Sequence, residues 1–244
     1  MSVFKVVSSK LASEIDQELM GPKVGFTLQQ LMELAGFSIA QTIQREYPLG
    51  QNNNKKEVLI IAGPGNNGGD GLVCARHLKL FGYDPIVYYP IASKRTPFYG
   101  QLVKQLEFFQ VPILTEEQSA RWVDYLKPDK TLCIVDAIFG FSFKPPMREP
   151  FGSIVEEMHK VEDKIPIVAV DIPTGWDVDE GPVSSPHLTP SVLVSLTVPK
   201  PCSKFIKSAR TAHYVGGRFI PKQFAEKYGF EPFSYQGTDQ ILKL

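Results

Sequence analysis

A glycine-rich turn in the first third of the chain is the segment whose residue types point most directly to ligand chemistry. The turn runs from Gly63 to Asp70 and reads Gly-Pro-Gly-Asn-Asn-Gly-Gly-Asp, directly after the apolar run Val58 to Ala62. Glycines let the backbone approach a phosphate, and the first turn of a following helix offers free N–H groups and a positive dipole. The turn therefore predicts an anion site, with a merely tight glycine turn as the alternative.

The tip of the second predicted strand argues against an ordinary nicotinamide dehydrogenase. Such an enzyme carries an acidic residue that holds the ribose, about 20 residues beyond the glycines. Here the tip reads Tyr88-Tyr89-Pro90-Ile91, so the expected carboxylate is missing. We therefore expect a related ligand that is held differently, with the chemistry left to groups of the protein.

Two further predicted strands end on an aspartate. Asp136 follows Ile134-Val135, and Asp171 follows Ala169-Val170. The carboxyl ends of parallel strands form the ligand crevice of an open sheet, so both aspartates should converge on the glycine turn. Either one alone could simply cap the loop behind its strand, but the pair at one edge favours a site.

The loops behind these aspartates carry polar groups suited to a ligand. Ile138 to Lys144 contains a flexible glycine, a hydroxyl and a lysine, which suit a polar, negatively charged ligand. Its three phenylalanines are better explained by packing, and a solvated side chain is the alternative for Lys144. In the loop after Asp171, Pro173 and Gly175 indicate a turn in which Thr174 offers a hydroxyl.

Three oxygen-bearing side chains at this edge suggest a cation site. Asn67, Asp136 and Thr174 would supply neutral and anionic oxygens, which suit a hard cation. Only one of the three is a carboxylate, so a cation of low charge fits better than a divalent one. The sequence has no H-x-x-H or C-x-x-C pattern for zinc, and Ser142 lacks the G-x-S-x-G setting of a serine hydrolase.

Alternating strand and helix patterns must position these groups. Apolar spacing of three and four after Thr27 predicts a helix that begins with a capping box formed by Thr27 and Gln30. The later patterns predict strands at 58–62, 85–89, 131–135, 165–170, 191–198 and 213–215, and helices after Asp70, at 98–109 and at 154–161. This order predicts an α/β fold with a parallel sheet covered on both faces, although the later strands cannot be ordered. The polar run Gln51 to Lys56 predicts an exposed loop.

Bulk composition narrows the class of protein. The 244 residues predict one domain, 1–244, and 26 basic residues balance 26 acidic ones, which disfavours nucleic acid or an anionic membrane as partner. No apolar run is long enough to cross a bilayer, and the first twenty residues do not resemble a leader. Three widely spaced cysteines predict buried thiols in a reducing compartment, so we expect a cytoplasmic location, with a mitochondrial pool as the alternative.

Several ordered motifs together resemble the YjeF amino-terminal domain family, the NAD(P)H-hydrate epimerases. The resemblance extends from near Leu11 to near Tyr235. The motifs that carry it are Gly65 to Asp70, Asp136 to Lys144, Val170 to Asp177, Leu31 to Gly36, Ser195 to Lys200 and Gly216 to Phe219.

The resemblance implies a Rossmann-like three-layer αβα sandwich with a mainly parallel central sheet, usually dimeric. It implies an isomerase that interconverts the R and S epimers of hydrated NADH and NADPH in nicotinamide cofactor repair. A separate NAD(P)H-hydrate dehydratase, which accepts one epimer, would be the functional partner, and the expected cofactor is a potassium ion.

By similarity, the resemblance also assigns residues. It assigns ligand binding to Asn66, Asn67, Gly68, Gly69 and Asp70, phosphate binding to Gly140, Phe141, Ser142, Phe143, Lys144, Pro145 and Pro146, contact with the reacting end to Asp171, and potassium binding to Asn67, Asp136 and Thr174. Thr174 stands where many relatives have serine, which keeps the hydroxyl. Pro145-Pro146 departs from the family pattern, because many relatives carry glycine at the first of these positions.

The implied reaction needs proton transfer. The hydrate carries a hydroxyl on a carbon bonded to the ring nitrogen, so its configuration is lost by ring opening or by departure of the hydroxyl. We expect Asp171 to act as general base and acid, assisted by Lys144. Two other classes stay open: a non-catalytic binding or scaffold module of the same family, and a conventional NAD oxidoreductase, which the missing ribose carboxylate disfavours.

Overall fold

A computed structural model describes residues 6–50, 57–144, 146–183, 185–207 and 209–244. The predicted loop Gln51 to Lys56 and the predicted phosphate-binding residue Pro145 lie outside these residues. Within them, no helix has the length and apolar content needed to cross a membrane.

Seven helices and eight strands alternate along the described part of the chain. In chain order they are α1 (Ser9–Leu19), α2 (Leu28–Glu46), β1 (Glu57–Ala62), α3 (Asn66–Leu80), β2 (Asp84–Tyr88), α4 (Pro97–Phe108), β3 (Ile113–Leu114), α5 (Ser119–Trp122), β4 (Thr131–Ala137), α6 (Phe151–His159), β5 (Ile167–Val170), β6 (Val192–Leu196), β7 (Ala212–Gly216), α7 (Lys222–Lys227) and β8 (Ile241–Lys243). Short 3₁₀ turns occupy Glu116–Gln118, Val123–Tyr125 and Pro201–Phe205.

All eight strands form one sheet in the order β3-β2-β1-β4-β5-β6-β7-β8. Each neighbouring pair is parallel except β7 and β8, which are antiparallel. The strand order reverses between β1 and β4, and in open α/β sheets ligands bind at the carboxyl ends on either side of such a switch point. The predicted α/β class with a mainly parallel central sheet is confirmed.

Helices cover both faces of the sheet, because alternate side chains of each buried strand point to opposite sides. On β1, Val58 and Ile60 pack into a core shared with α2, α3 and α4. Leu59 and Ile61 pack into a second core against Trp122 and the apolar face of α6. The strands are continuously apolar because both faces of the sheet are buried. Packing on both faces also fixes the carboxyl ends of the strands.

The predicted elements are present, with shifts at their ends and five additions, which are α1, β3, α5, α7 and β8. The capping box of Thr27 and Gln30 forms at the start of α2, and α6 begins at Phe151, three residues before the predicted start. The strands β3 and β8 have only two and three residues, too few for a periodic signal. Helix α1 was not predicted, although its buried residues Ala12, Ile15 and Leu19 have helical spacing.

Candidate active site

A pocket of about 290 Å³ lies at the carboxyl edge of the sheet. Its walls come from the loops after β1, β4, β5 and β6, and helices α1 and α2 supply its outer side. Arg95, from the loop after β2, also lines the pocket. The three loops singled out from the sequence therefore meet at one place.

Close backbone approach explains two glycines of the turn after β1. A Cβ on Gly68 would lie 1.7 Å from the carbonyl oxygen of Gly63, and a Cβ on Gly63 would lie 1.9 Å from that of Ile138. Neither position can therefore hold a side chain while α3 packs against the ends of β1 and β4. Gly65, in contrast, has open space around its Cβ position and borders the pocket.

The structure divides the predicted ligand-binding segment into two groups. Asn66, Asn67 and Asp70 line the pocket, and the side chain of Asn66 accepts a hydrogen bond of 2.6 Å from the hydroxyl of Tyr99. Gly68 and Gly69 do not line it, and a Cβ on Gly69 would lie 2.5 Å from the sulfur of Met32. Ligand contact by these two glycines stays a prediction, while their role in packing is direct.

Of the three predicted cation ligands, Asn67 lines the pocket, whereas Asp136 and Thr174 are buried and do not line it. Asp136 is fully buried, and its carboxylate accepts hydrogen bonds from the Thr174 hydroxyl at 2.6 Å and the Thr174 amide at 2.7 Å. Burial raises the pKa of Asp136 to about 6. The Asn67 amide nitrogen donates to the carbonyl of Val170 at 2.9 Å, whereas its oxygen is buried without a hydrogen-bond partner among the described residues.

Asp171 lines the pocket and forms an ion pair with a lysine. The Lys200 ammonium lies 2.5 Å from Oδ1 of Asp171, and the two side chains are 3% and 5% exposed. Lys200 also donates to the carbonyl of Leu196 at 2.7 Å, and the amide of Phe141 donates to Oδ2 of Asp171 at 3.1 Å. Asp171 has φ = 64°, a left-handed conformation that is uncommon outside glycine and is associated with functional sites.

The loop after Asp136 contributes only its first half to the pocket. Gly140, Phe141, Ser142 and Phe143 line it, and a Cβ on Gly140 would lie 3.3 Å from the Asn67 amide nitrogen and 3.4 Å from Oδ2 of Asp171. Lys144 and Pro146 are exposed and are not among the lining residues. The phenylalanines both pack and line the pocket, since Phe139 stacks on Phe143 with ring centroids 4.4 Å apart.

Two functional candidates were missed from the sequence. Lys200 belongs to a motif that carried the family resemblance, but it had no assigned role, and its contact with Asp171 depends on the adjacency of β5 and β6. Asp16 of α1 also lines the pocket, and burial raises its pKa to about 6. Asp70 is a third carboxyl group in the wall, and burial raises its pKa well above the usual range.

Comparison with known proteins gives one family and several close relatives. A family model described as YjeF-related protein N-terminus matches residues 28–202. The chain is 69% identical over 247 residues to the NAD(P)H-hydrate epimerase of Saccharomyces cerevisiae, with 100% of both chains covered. It is 46% identical over 241 residues to the Schizosaccharomyces pombe protein of the same name, covering 98% of this chain and 95% of that one. The crystal structure of the yeast protein YNL200c matches with a TM-score of 0.96 at 70% identity, covering 98% of this chain and 100% of that chain.

Proposed function

The chain belongs to the YjeF-related N-terminus family, and on that premise we propose that it is an NAD(P)H-hydrate epimerase. It is an isomerase that interconverts the R and S epimers of hydrated NADH and NADPH in nicotinamide cofactor repair. The observation that carries this function is full-length similarity to curated epimerases in a chain whose pocket places a buried, ion-paired Asp171 beside the glycine turn. A non-catalytic scaffold module is not favoured.

The direct experiment starts from a single epimer. Purified protein is mixed with the R epimer of hydrated NADPH, and appearance of the S epimer is followed by chromatography. We expect formation of the S epimer well above the spontaneous rate, with the same equilibrium mixture reached from either side. A rate equal to that of the protein-free control would contradict the proposed function.

Asp171 is the proposed base and acid at the reacting end. Ring opening or departure of the hydroxyl requires one group that accepts a proton and one that gives it, which supports a role for the carboxylate in the pocket wall. The Lys200 ammonium lies 2.5 Å from Oδ1 of that carboxylate, whereas Lys144 is exposed. We therefore assign to Lys200 the assisting role expected for Lys144, and we keep Lys144 as a proposed contact for the phosphates.

Phosphate binding is proposed for two segments around the pocket. Asn66, Asn67 and Asp70 with the start of α3, and Gly140, Phe141, Ser142 and Phe143, supply amide groups and a hydroxyl along the wall. Gly65 caps α3 without a side-chain hydrogen bond, so the first helical amides are open to an anion. We extend the proposal to Gly68, Gly69 and Pro146 from the resemblance alone, and to Pro145, which lies outside the described residues.

A potassium ion is proposed at Asn67, Asp136 and Thr174. The fit is supported by the buried Asn67 oxygen, which has no hydrogen-bond partner among residues that the structure describes, and by the raised pKa of Asp136. A cation would bind this oxygen and balance the charge of the Asp136 carboxylate. The set has neutral oxygens and one carboxylate, which suits a monovalent ion. Potassium bound there would supply positive charge that holds together the loops after β1, β4 and β5.

We also propose that the protein forms a homodimer. A separate NAD(P)H-hydrate dehydratase would consume the one epimer that the dehydratase accepts. Cys74, Cys133 and Cys202 are buried and unpaired, which supports a reducing compartment such as the cytoplasm. Light scattering tests the dimer, and a mixture of both enzymes tests whether the epimerase allows complete consumption of both epimers.

A further inference from the structure

Helix α1 presents a single charged side chain to the pocket. Ala12, Asp16 and Met20 are spaced by four residues, form one stripe of the helix or its cap, and line the pocket wall. The other acidic residues of α1 have different surroundings: Glu14 is exposed, and Glu18 bonds Lys227 and Tyr228. The position of Asp16 therefore follows from the docking of α1 over the carboxyl edge of the sheet.

The carboxyl group of Asp16 has different surroundings from that of Asp171. No side-chain hydrogen bond or ion pair of Asp16 is found among the described residues, whereas Asp171 contacts Lys200 and the amide of Phe141. Asp16 is half-buried and borders the space that a ligand would fill. A carboxyl group in this position can hydrogen-bond a bound ligand.

The electrostatic neighbours of Asp16 are the groups proposed to act at the reacting end. They are Lys200 from the loop after β6, Asp171 from the end of β5, and Asp70 of α3. Burial and the charge of Asp171 raise the pKa of Asp16, and Lys200 opposes the shift, with the result that the pKa lies at about 6. The pocket thus holds one ion-paired carboxylate and one that takes up a proton near neutral pH, which is how acid and base roles are divided between two carboxyl groups.

We propose that Asp16 is the second proton-transfer residue of the epimerase and contacts the tetrahydropyridine ring of the hydrate opposite Asp171. The inference rests on the proposed function and deepens it.

In ring opening, ionised Asp171 takes the proton of the C6 hydroxyl, the C6=O bond forms, the C6–N1 bond breaks, and N1 receives the proton of Asp16. After rotation about C5–C6, N1 attacks the other face of the aldehyde and returns its proton to Asp16, while Asp171 protonates the oxygen. Atoms, electrons and protons balance without a co-reactant.

The test uses Asp16→Asn, Asp16→Glu and the matched control Glu14→Gln on the exposed side of the same helix. Rates of epimerisation of hydrated NADPH are measured from pH 4.5 to 8, with kcat and KM determined separately. Because Asp16 must carry a proton to donate it, we expect wild-type kcat to fall as the pH rises through about 6. Asp16→Asn should lower kcat by about 10²-fold and leave KM within about threefold. It should also remove the decrease of kcat with rising pH. Asp16→Glu should keep this pH dependence, and Glu14→Gln should match wild type.

Three results separate the alternatives. If the wild-type protein does not exceed the spontaneous rate, both the proposed function and this inference are wrong. If wild type is active and Asp16→Asn keeps its kcat or its pH profile, or changes KM alone, only the assignment of Asp16 is wrong. A structural role is detected by thermal unfolding. Because no side-chain partner of Asp16 is found in the described part of the chain, Asp16→Asn should unfold no earlier than wild type. A lower midpoint together with an unchanged pH profile overturns the inference.

Discussion

The ammonium group of Lys200 lies 2.5 Å from the carboxylate of Asp171, and both side chains are almost fully withdrawn from solvent. The two residues come from the ends of neighbouring parallel strands, β5 and β6, and are 29 positions apart in the chain. Their contact brings a fixed charge pair to the pocket wall, in a place where little water competes with it.

Replacement of Asp171 tests its role directly. Asp171→Asn keeps the size of the side chain, and asparagine tolerates the left-handed backbone conformation found at this position. We expect kcat for epimerisation to fall by about 10²–10⁴-fold, because the variant neither accepts nor donates the required proton. Asp179→Asn, on the exposed surface beyond the same loop, serves as control and should behave as wild type. Wild-type epimerisation by Asp171→Asn would show that another group transfers the proton.

Removal of the lysine should cost stability as well as activity. Lys200→Met leaves the buried Asp171 carboxylate without its cation, and breaking a buried pair in this way destabilises by about 3–5 kcal/mol. Urea unfolding measures the loss, and epimerisation by the variant should fall in parallel. Lys204→Met, an exposed change in the next turn, should stay within about 0.5 kcal/mol of wild type. Equal stability of the two variants would mean that the ion pair contributes nothing to the folded state.

The proposed potassium site can be followed without any substrate. Potassium chloride should raise the thermal midpoint relative to choline chloride at equal ionic strength. The gain in free energy of unfolding should be about 2.7 kcal/mol at a hundredfold excess over Kd. Asn67→Ala removes the buried oxygen without a partner and should abolish the response. Asn66→Ala should retain it, because that side chain bonds Tyr99. A response that survives in Asn67→Ala would place the cation elsewhere.

A matched pair of glycine variants separates packing from ligand contact. In Gly68→Ala the new methyl group would overlap the carbonyl of Gly63, so we expect a loss of about 3 kcal/mol or more in the free energy of unfolding. In Gly65→Ala the methyl group meets open space, and the backbone conformation with φ = −104° suits alanine. Denaturant unfolding of both proteins is the measurement. Similar stability of the two variants would contradict the close approach of α3 to β1.

His213 should make stability depend on pH. Burial lowers the pKa of His213 from 6.5 to about 4, and its Nε2 lies 2.9 Å from the hydroxyl of Ser195. Between these pH values the unfolded chain binds a proton that the folded chain does not, so acidification favours unfolding. The contribution is complete above pH 6.5 and is lost as the pH falls towards 4, amounting to about 2 kcal/mol between pH 7 and pH 5. His213→Gln should reduce the difference between the unfolding free energies at pH 7 and pH 5 by the contribution of His213. If the difference is unchanged, other groups cause the pH dependence.

Local patterns were sufficient for the elements and for the edge of the sheet that carries the site. Val58 to Ala62 and Ile167 to Val170 have the continuous apolar character of strands buried on both faces, and each leads into a loop with polar residues. The expectation that Asp171 faces the pocket beside the glycine turn agrees with its position in the wall. Such features depend on neighbours in the chain, or on the rule that parallel strands share one carboxyl edge.

The assisting lysine illustrates what local patterns leave undetermined. The loop after the strand-end aspartate Asp136 predicts Lys144 as the lysine that assists Asp171. Lys144 is exposed, however, and Lys200 contacts Asp171 instead. That contact requires β6 to lie next to β5, and the order of the later strands could not be derived. Asp16 was missed for a similar reason, since α1 precedes the first strand and reaches the site only through long-range docking. The groups that tune the charge of the site are thus set by tertiary packing.

The two borders of the sheet restrict how a second copy of the chain could attach. At one border β8 runs opposite to its neighbour and is only three residues long; at the other, β3 has only two. Short outer strands offer few unpaired amide and carbonyl groups to an approaching strand. Growth of the sheet across molecules is therefore disfavoured, and a homodimer of this protein would have to use the helices or loops as its contact, leaving the fold resistant to strand-mediated aggregation.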